Sequence, residues 1–311
     1  MTLCTSFTVG SLTCHLIEGG TQRLDGGAMF GVVPKPLWQK RIPADERNRI
    51  PLALRCLVVE HPDGLILVDT GIGNKEDEKF LDIYGVENAG SEGATQLEDA
   101  LAEAGHRSED VRWVVNTHLH FDHAGGNTAR AAGTSAGAAR AAGAAGAGGA
   151  EVGAEVAFPN ATYVVQRGEL EFARWDNERI RASYFAANFE PVAEEEKWRL
   201  VEGETDLLPG IKLLPTPGHV PHHQSVLVAD GGETACFLGD VVPTSAHVRL
   251  PWIMGYDLEP LRTLESKRAL LADAVAGGWL LLFEHDPVVV AGRVIEGRRG
   301  PEVVEPIRLT G

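Results

Sequence analysis

The sequence predicts an α+β domain built in layers. Three observations carry that reading. Short apolar runs rich in β-branched residues recur from residues 52–60 to 279–283. Two helices have legible boundaries. The chemically active residues follow directly on strand-like runs, where layered folds present their ligands. With 311 residues, 44% of them apolar, the chain can bury a full core as one large domain or two modest ones, which excludes global disorder.

Residues 7–18 read as a strand. Residues 19–51 read as a long irregular stretch carrying Met29, Phe30, Pro34, Pro36, Leu37 and Trp38. A connection of that length with apolar residues is usually functional, as a lid or an interface. Residues 52–60 and 65–69 are strands joined by the turn Pro62-Asp63-Gly64. Thr95 and Glu98 make a capping box for a helix to about Ala104, closed by Gly105. A buried strand follows at 111–117, and later strands are expected at 162–166, 211–215, 225–229, 234–238 and 279–283. A helix should cover roughly 260–276, ended by Gly277 and Gly278. Between Ala124 and Ala150, 13 Ala and 8 Gly make up 21 of 27 residues. Glycine at every few positions defeats the helix that alanine favours, so a flexible surface insertion is expected near 128–155.

The net charge of −16 repels phosphate backbones, which argues against nucleic acid and anionic membrane surfaces as partners. The first residues show no basic segment followed by an apolar one, so no signal peptide is expected, and no apolar run approaches a membrane span. Cys4, Cys14, Cys56 and Cys236 form no C-x-x-C pair and read as reduced thiols, three of them in strand-like stretches. A cytoplasmic protein is expected.

Three of eleven histidines fall in one window, His118-Leu119-His120-Phe121-Asp122-His123. At this chain's frequencies, three specified His and one Asp recur with probability on the order of 2 in a million per window, so the pattern carries a strong signal. It follows directly on the strand at 111–117. His118 and His120, two apart, can project to one side of an extended backbone. Asp122 and His123 are adjacent and point differently, so two His to one metal and an Asp–His pair to a second is the natural division. Imidazole with carboxylate suits Zn²⁺, with Fe or Mn as alternatives. Further ligands stand at strand ends: His219 after Thr216-Pro217-Gly218, Asp240 after Phe237-Leu238-Gly239, and His285 after Leu281-Leu282-Phe283-Glu284.

These segments, with Val68-Asp69-Thr70-Gly71 upstream, resemble the metallo-β-lactamase superfamily over most of the chain. The resemblance implies an αββα sandwich, two mixed sheets face to face with helices outside, as one domain over residues 1–311 enlarged by the lid-like segment near 19–51 and the insertion. It implies two divalent metal ions. One would take His118, His120 and His219, and the other Asp122, His123 and His285, with Asp240 bridging. Asp69 would orient ligands from behind them. The run from His118 to Asn127, and Phe158-Pro159-Asn160-Ala161 leading into Val164-Val165-Gln166-Arg167, are similar to the N-acyl homoserine lactonase branch. His120 excludes the flavo-diiron relatives, which usually carry Glu there.

The activity implied is hydrolysis by a metal-bridging hydroxide, with Asp122 orienting it and passing a proton to the leaving group. The lactonase branch often has a tyrosine shortly after the bridging Asp. Here none occurs before Tyr256, and His247 is read as the substitute donor. His222 and His223 are not assigned as ligands. Three apolar-aromatic segments, 29–38, 175–189 and 250–256, are candidates to line the substrate site. Met29, Phe30, Trp38, Trp252, Met254 and Tyr256 are the named pocket residues; the same segments read equally as core or as a homodimer contact. Their character favours a small-molecule apolar lactone or ester. Alternatives on the same metals are a phosphotriesterase or a glyoxalase-type thioesterase, for which the arginines Arg293, Arg298, Arg299 and Arg308 are too scattered to form a glutathione patch. A non-catalytic metal-binding scaffold is the remaining alternative.

Overall fold

The computed structural model describes residues 2–133, 153–298 and 300–308. β1 (Cys4–Val9) and β2 (Leu12–Asp25) form an antiparallel hairpin about Gly10 and Ser11, where a single strand from residue 7 was expected. β2 then runs seven residues past Glu18, into the stretch read as irregular. Its register against β3 (Arg49–Glu60) slips between Glu18 and Thr21 and resumes from Thr21↔Ala53 to Asp25↔Arg49. Gly19 and Gly20 are therefore a bulge and not the end of a strand; Gly20 has φ of 122°, open to glycine but not to most side chains. The remainder of the expected lid holds α1 (Gly26–Phe30) and α2 (Lys35–Trp38).

β4 (Leu65–Val68), α3 (Glu78–Tyr84), α4 (Gln96–Glu103), β5 (Val111–Val115) and α5 (Phe121–Ala124) follow. The capping box of α4 is present: Glu98 accepts from the Thr95 backbone N–H at 2.7 Å, and Thr95 Oγ1 accepts from Glu98 N. β6 (Thr128–Arg130) pairs with β7 (Ala154–Val156) in a two-stranded ribbon. β8 (Thr162–Gln166), α6 (Arg167–Ala173), α7 (Glu190–Glu194) and β9 (Trp198–Val201) complete the first half. The second half comprises β10 (Thr205–Leu208), β11 (Ile211–Pro215), β12 (Gln224–Asp230), β13 (Glu233–Phe237), α8 (Pro260–Gly277), β14 (Leu280–Leu282), β15 (Val289–Gly297) and β16 (Gly300–Arg308).

The strands make two seven-stranded mixed sheets, ordered β1-β2-β3-β4-β5-β8-β9 and β10-β11-β12-β13-β14-β15-β16. Alternation along each strand divides the layers. Leu57 and Val59 of β3 point inward with Val68 and Val115 to meet Leu213, Val226 and Phe237 of the facing sheet. Cys56 and Val58 point outward against Leu97, Ala100 and Leu101 of α4. On the far side Cys236 and Leu281 meet Leu270, Leu271 and Ala274 of α8. The result is helix, sheet, sheet, helix, as the resemblance implied. Among the described residues no helix is long and apolar enough to cross a membrane. All four cysteines are free, and burial pushes the Cys14 thiol up to about 12.

Most of the insertion expected near 128–155 lies outside the described residues; its described ends pair as β6 and β7, and the Ala/Gly-rich composition begins earlier, at Ala124, in residues that belong to the fold. Gly125, Gly126 and Asn127 are buried, and a Cβ on Gly125 or Gly126 would overlap the carbonyl of Ile72 or Thr70. The buried Lys75 ammonium donates to the carbonyls of Gly125 and Thr128. Composition alone hides this, because glycine required for close backbone approach looks the same as glycine in a linker.

Candidate metal centre

β4 and β5 run parallel, and their C-terminal ends open beside each other. Asp69 follows β4 with φ of 56° and so turns its carboxylate back across the end of β5. There it accepts from Thr117 N at 2.8 Å and Thr117 Oγ1 at 2.7 Å, fixing the residue that precedes His118. The second half contributes His219 after β11, Asp240 after β13 and His285 after β14. Two groups of ligand atoms result, each within 4.8 Å: His118, His120, His219 and Asp240, and then Asp122, His123 and His285.

Asp240 stands between the groups. Its Oδ2 lies 3.1 Å from His219 Nε2 and its Oδ1 3.1 Å from His285 Nε2. His219 Nε2 is 3.1 Å from His120 Nδ1, and His285 Nε2 is 3.2 Å from His123 Nε2. Asp122 reaches His123 Nε2 at 3.8 Å and His285 Nε2 at 3.9 Å. These residues fit divalent metal ions. Nitrogens face nitrogens around a carboxylate, and His118 Nε2 is buried with no hydrogen-bond partner. Burial and the neighbouring imidazoles hold His118 and His120 well below the usual value, so their lone pairs are free. Burial also opposes charge on His285, yet the surrounding carboxylates, Asp240 foremost, together outweigh it and raise that imidazole to about 9. The field at the centre therefore calls for positive charge, which bound cations would supply.

Each ligand is held from its far side. His123 Nδ1 lies 3.0 Å from both Asp69 Oδ2 and Glu284 Oε1. Burial pushes the Glu284 carboxyl up, and the neighbouring Asp69 adds to the shift. His219 Nδ1 meets Asp257 Oδ1 at 3.0 Å, and His285 Nδ1 donates to the Ala53 carbonyl at 2.7 Å, which turns its Nε2 toward the centre. Asp240 N–H donates to His223 Nε2 at 3.0 Å, so His223 carries its proton on Nδ1, against Thr216 Oγ1 at 2.8 Å. Glu169 Oε1 accepts from Leu119 N at 3.0 Å and from the Tyr184 hydroxyl at 2.8 Å, while the Tyr184 ring packs on His120. Gln22 Nε2 donates to Asp122 Oδ2. None of Gln22, Glu169, Asp257 or Glu284 stood out in the sequence. Asp257 and Glu284 follow or adjoin motif residues, but no spacing rule marks them, and Gln22 lies in the stretch read as irregular.

A cavity of about 190 Å³ opens over the centre, with His120, Asp122, His219, Asp240 and His285 in its floor. Met29, Met254 and Tyr256, three of the candidate pocket residues, line it. Phe30, Trp38 and Trp252 do not. Phe30 stacks on Trp38 at 5.4 Å and meets Trp252 edge-on at 5.7 Å, so the three form a core behind the wall. The wall also contains Leu24, Leu52, Tyr84, Phe121, Arg179 and Ile180. Of these, only Arg179 and Ile180 lie in one of the three segments read as candidates to line the substrate site; Leu24 lies in the lid-like stretch and Phe121 in the histidine motif.

His247 is not a donor to this cavity, which corrects the expectation. It is fully buried, with Nε2 donating to Met29 O at 2.8 Å, Nδ1 accepting from Thr244 Oγ1 at 2.7 Å, and its ring stacked on Phe30 at 4.5 Å. Burial lowers it to about 3, so the fold keeps it neutral. Above the unfolded value of about 6.5 neither state is protonated and His247 adds no pH dependence. Between about 6.5 and 3 only the unfolded chain takes up the proton, and stability falls by about 1.4 kcal/mol per pH unit from this group. In urea denaturation, His247→Phe is therefore expected to be less stable at pH 8 but to lose less stability down to pH 4. An acid limb as steep as that of the unmutated chain would contradict the assignment.

The Metallo-beta-lactamase superfamily pattern matches residues 51–285, about three quarters of the chain. An N-acyl homoserine lactonase of Bacillus cereus is 28% identical over 186 residues, 58% of this chain and 60% of that protein. The match thus spans less than two thirds of that relative. The N-acyl homoserine lactonase AttM of Rhizobium radiobacter is 26% identical over 78% of this chain and 84% of its own. A solved structure from Staphylococcus aureus, a "probable metal-dependent hydrolase", superposes with a TM-score of 0.83 at 30% identity over 98% of this chain and 99% of its own. With that match over residues 51–285, and candidate ligands at strand ends in two groups about Asp240, the chain belongs to the metallo-β-lactamase superfamily.

Proposed function

We propose that this protein is a metal-dependent hydrolase that opens lactones or cleaves related carboxylic esters carrying apolar groups. The observation that carries the reading is a His/Asp cluster with two groups of ligand atoms at the floor of a cavity walled by Leu24, Met29, Leu52, Met254 and Ile180. The lactonases among its relatives favour the lactone within that class. Two divalent ions, Zn²⁺ by the donor chemistry, would be held by His118, His120 and His219 and by Asp122, His123 and His285, with Asp240 shared. When bound, they supply a water nucleophile at neutral pH and polarise the carbonyl.

The chain's own residues do the rest. Asp122, oriented by Gln22, takes a proton and returns it to the leaving oxygen. Tyr256 lines the cavity, and burial pushes its hydroxyl up to about 12, so it remains a hydrogen-bond donor for the carbonyl oxygen. It takes the part assigned earlier to His247. The apolar walls exclude water and hold the acyl or aryl group. The four unpaired cysteines support a reducing, cytoplasmic compartment.

A hydrolysis panel on the metal-loaded protein tests this: short- and long-chain lactones, aryl esters, a phosphotriester, a cephalosporin and a glutathione thioester. Lactones are expected to lead in kcat/KM, and Tyr256→Phe to lower kcat on them by roughly 10²-fold with little change in KM. Lactone turnover no better than the rest overturns the substrate class.

A further inference from the structure

A second group of metal-ligating side chains lies away from the candidate centre. His15 is on β2 directly opposite Ser6 of β1, Glu60 ends β3, and His106 follows α4. Ala53 of β3 bonds to the His285 backbone at the centre, and Glu60 is seven residues further along the strand, about 23 Å away at strand rise. Glu60 Oε1 lies 3.3 Å from His15 Nε2 and 3.0 Å from His106 Nε2, and the three ligand atoms all fall within 4.8 Å. Ligands bound at about 2.0–2.2 Å around one tetrahedral ion stand some 3.3–3.5 Å apart, which is close to the spacing here.

The His15 side chain and the His106 backbone are held in place beforehand. His15 is 9% exposed at its side chain, and its Nδ1 meets Ser6 Oγ at 2.8 Å. With Nδ1–H donating to that hydroxyl, the Nε2 lone pair faces Glu60 and His106, the arrangement in which metal-binding histidines are usually supported. His106 is 20% exposed, and its backbone N–H is bonded to Leu101 O at 2.9 Å. Glu60, 42% exposed, faces solvent, so water can complete the coordination.

We propose that His15, Glu60 and His106 form a further binding site for a divalent transition-metal cation. Two imidazoles with one carboxylate select Zn²⁺, Co²⁺, Ni²⁺ or Cu²⁺ over Mg²⁺ or Ca²⁺. The ion ties β2, the end of β3 and the α4–β5 connection together. The inference is independent of any hydrolytic activity.

The test counts zinc per chain after dialysis against micromolar Zn²⁺, in the unmutated protein, His106→Ala and Glu60→Gln. Both variants are expected to hold one zinc fewer than the unmutated chain, whatever number the candidate centre retains. Their rates on the best substrate should equal that of the unmutated protein, since the cluster lies at the other end of the sheet. Equal zinc content in all three overturns the site. Two independent partly exposed positions guard against a single variant that folds poorly, and circular dichroism checks each.

Discussion

Asp122→Asn is expected to lower turnover about 10²- to 10⁴-fold while the fold is unchanged. The carboxylate is 7% exposed, within 3.9 Å of His285 Nε2 and 3.8 Å of His123 Nε2, at the floor of the cavity. Asparagine keeps its shape and can still accept the Gln22 amide hydrogen, so packing is preserved. It cannot accept and release a proton at neutral pH, and that is the property the proposed reaction asks of this position. Asp122 is also a candidate ligand, so metal content must be measured beside kcat. A metal-replete Asp122→Asn protein with full turnover removes Asp122 from proton transfer. A loss of turnover that tracks lost metal reassigns the residue to metal binding alone.

Much of the centre was legible because its residues break a local pattern. His118, His219, Asp240 and His285 each stand at the end of an apolar run, and polar residues placed there attract notice whatever lies around them. The α4 capping box was legible for a similar reason: Thr95 and Glu98 act on the next three residues and need no tertiary partner. The illegible parts depend on distant contacts. Gln22 matters because β2 continues beyond Gly19-Gly20, and a pair of glycines reads as an end where the sheet makes a bulge. The close packing of Gly125 and Gly126 was hidden in the Ala/Gly-rich composition because nothing local reveals the Ile72 and Thr70 carbonyls against them. Phe30, Trp38 and Trp252 were grouped with Met29 and Met254 because apolar character alone does not separate a core from the wall of a cavity in front of it. His247 was misread for the opposite reason. A histidine near a ligand motif suggests chemistry, while its partners, Met29 O and the Phe30 ring, lie more than two hundred residues away.

Arg55→Met is expected to be the most destabilising single change in the fold, at about 3–5 kcal/mol, because it strands a buried charge. Arg55 is fully buried on β3. Its Nε donates to Glu18 Oε1 at 2.6 Å and its Nη2 to Glu18 Oε2 at 3.3 Å. The same guanidinium donates to Phe283 O at 2.6 Å and, through both Nη atoms, to Asp286 O at 3.1 Å. It therefore grips the backbone on both sides of His285, whose own Nδ1 is tied to Ala53 of the same strand. Methionine fills similar volume but leaves the Glu18 carboxylate, 8% exposed, without its cation. Lysine keeps the charge but cannot reach the carboxylate and two carbonyls together, so Arg55→Lys should fall between. If the stranded charge is the cause, Glu18→Leu added to Arg55→Met restores much of the loss in urea denaturation. The same grip predicts weaker metal binding in Arg55→Met, by about 10- to 100-fold, because His285 loses its fixed backbone. A double variant no more stable than the single one would shift the cost from Glu18 to the unpaired carbonyls of Phe283 and Asp286, and full metal affinity in Arg55→Met would deny the residue any part in placing His285.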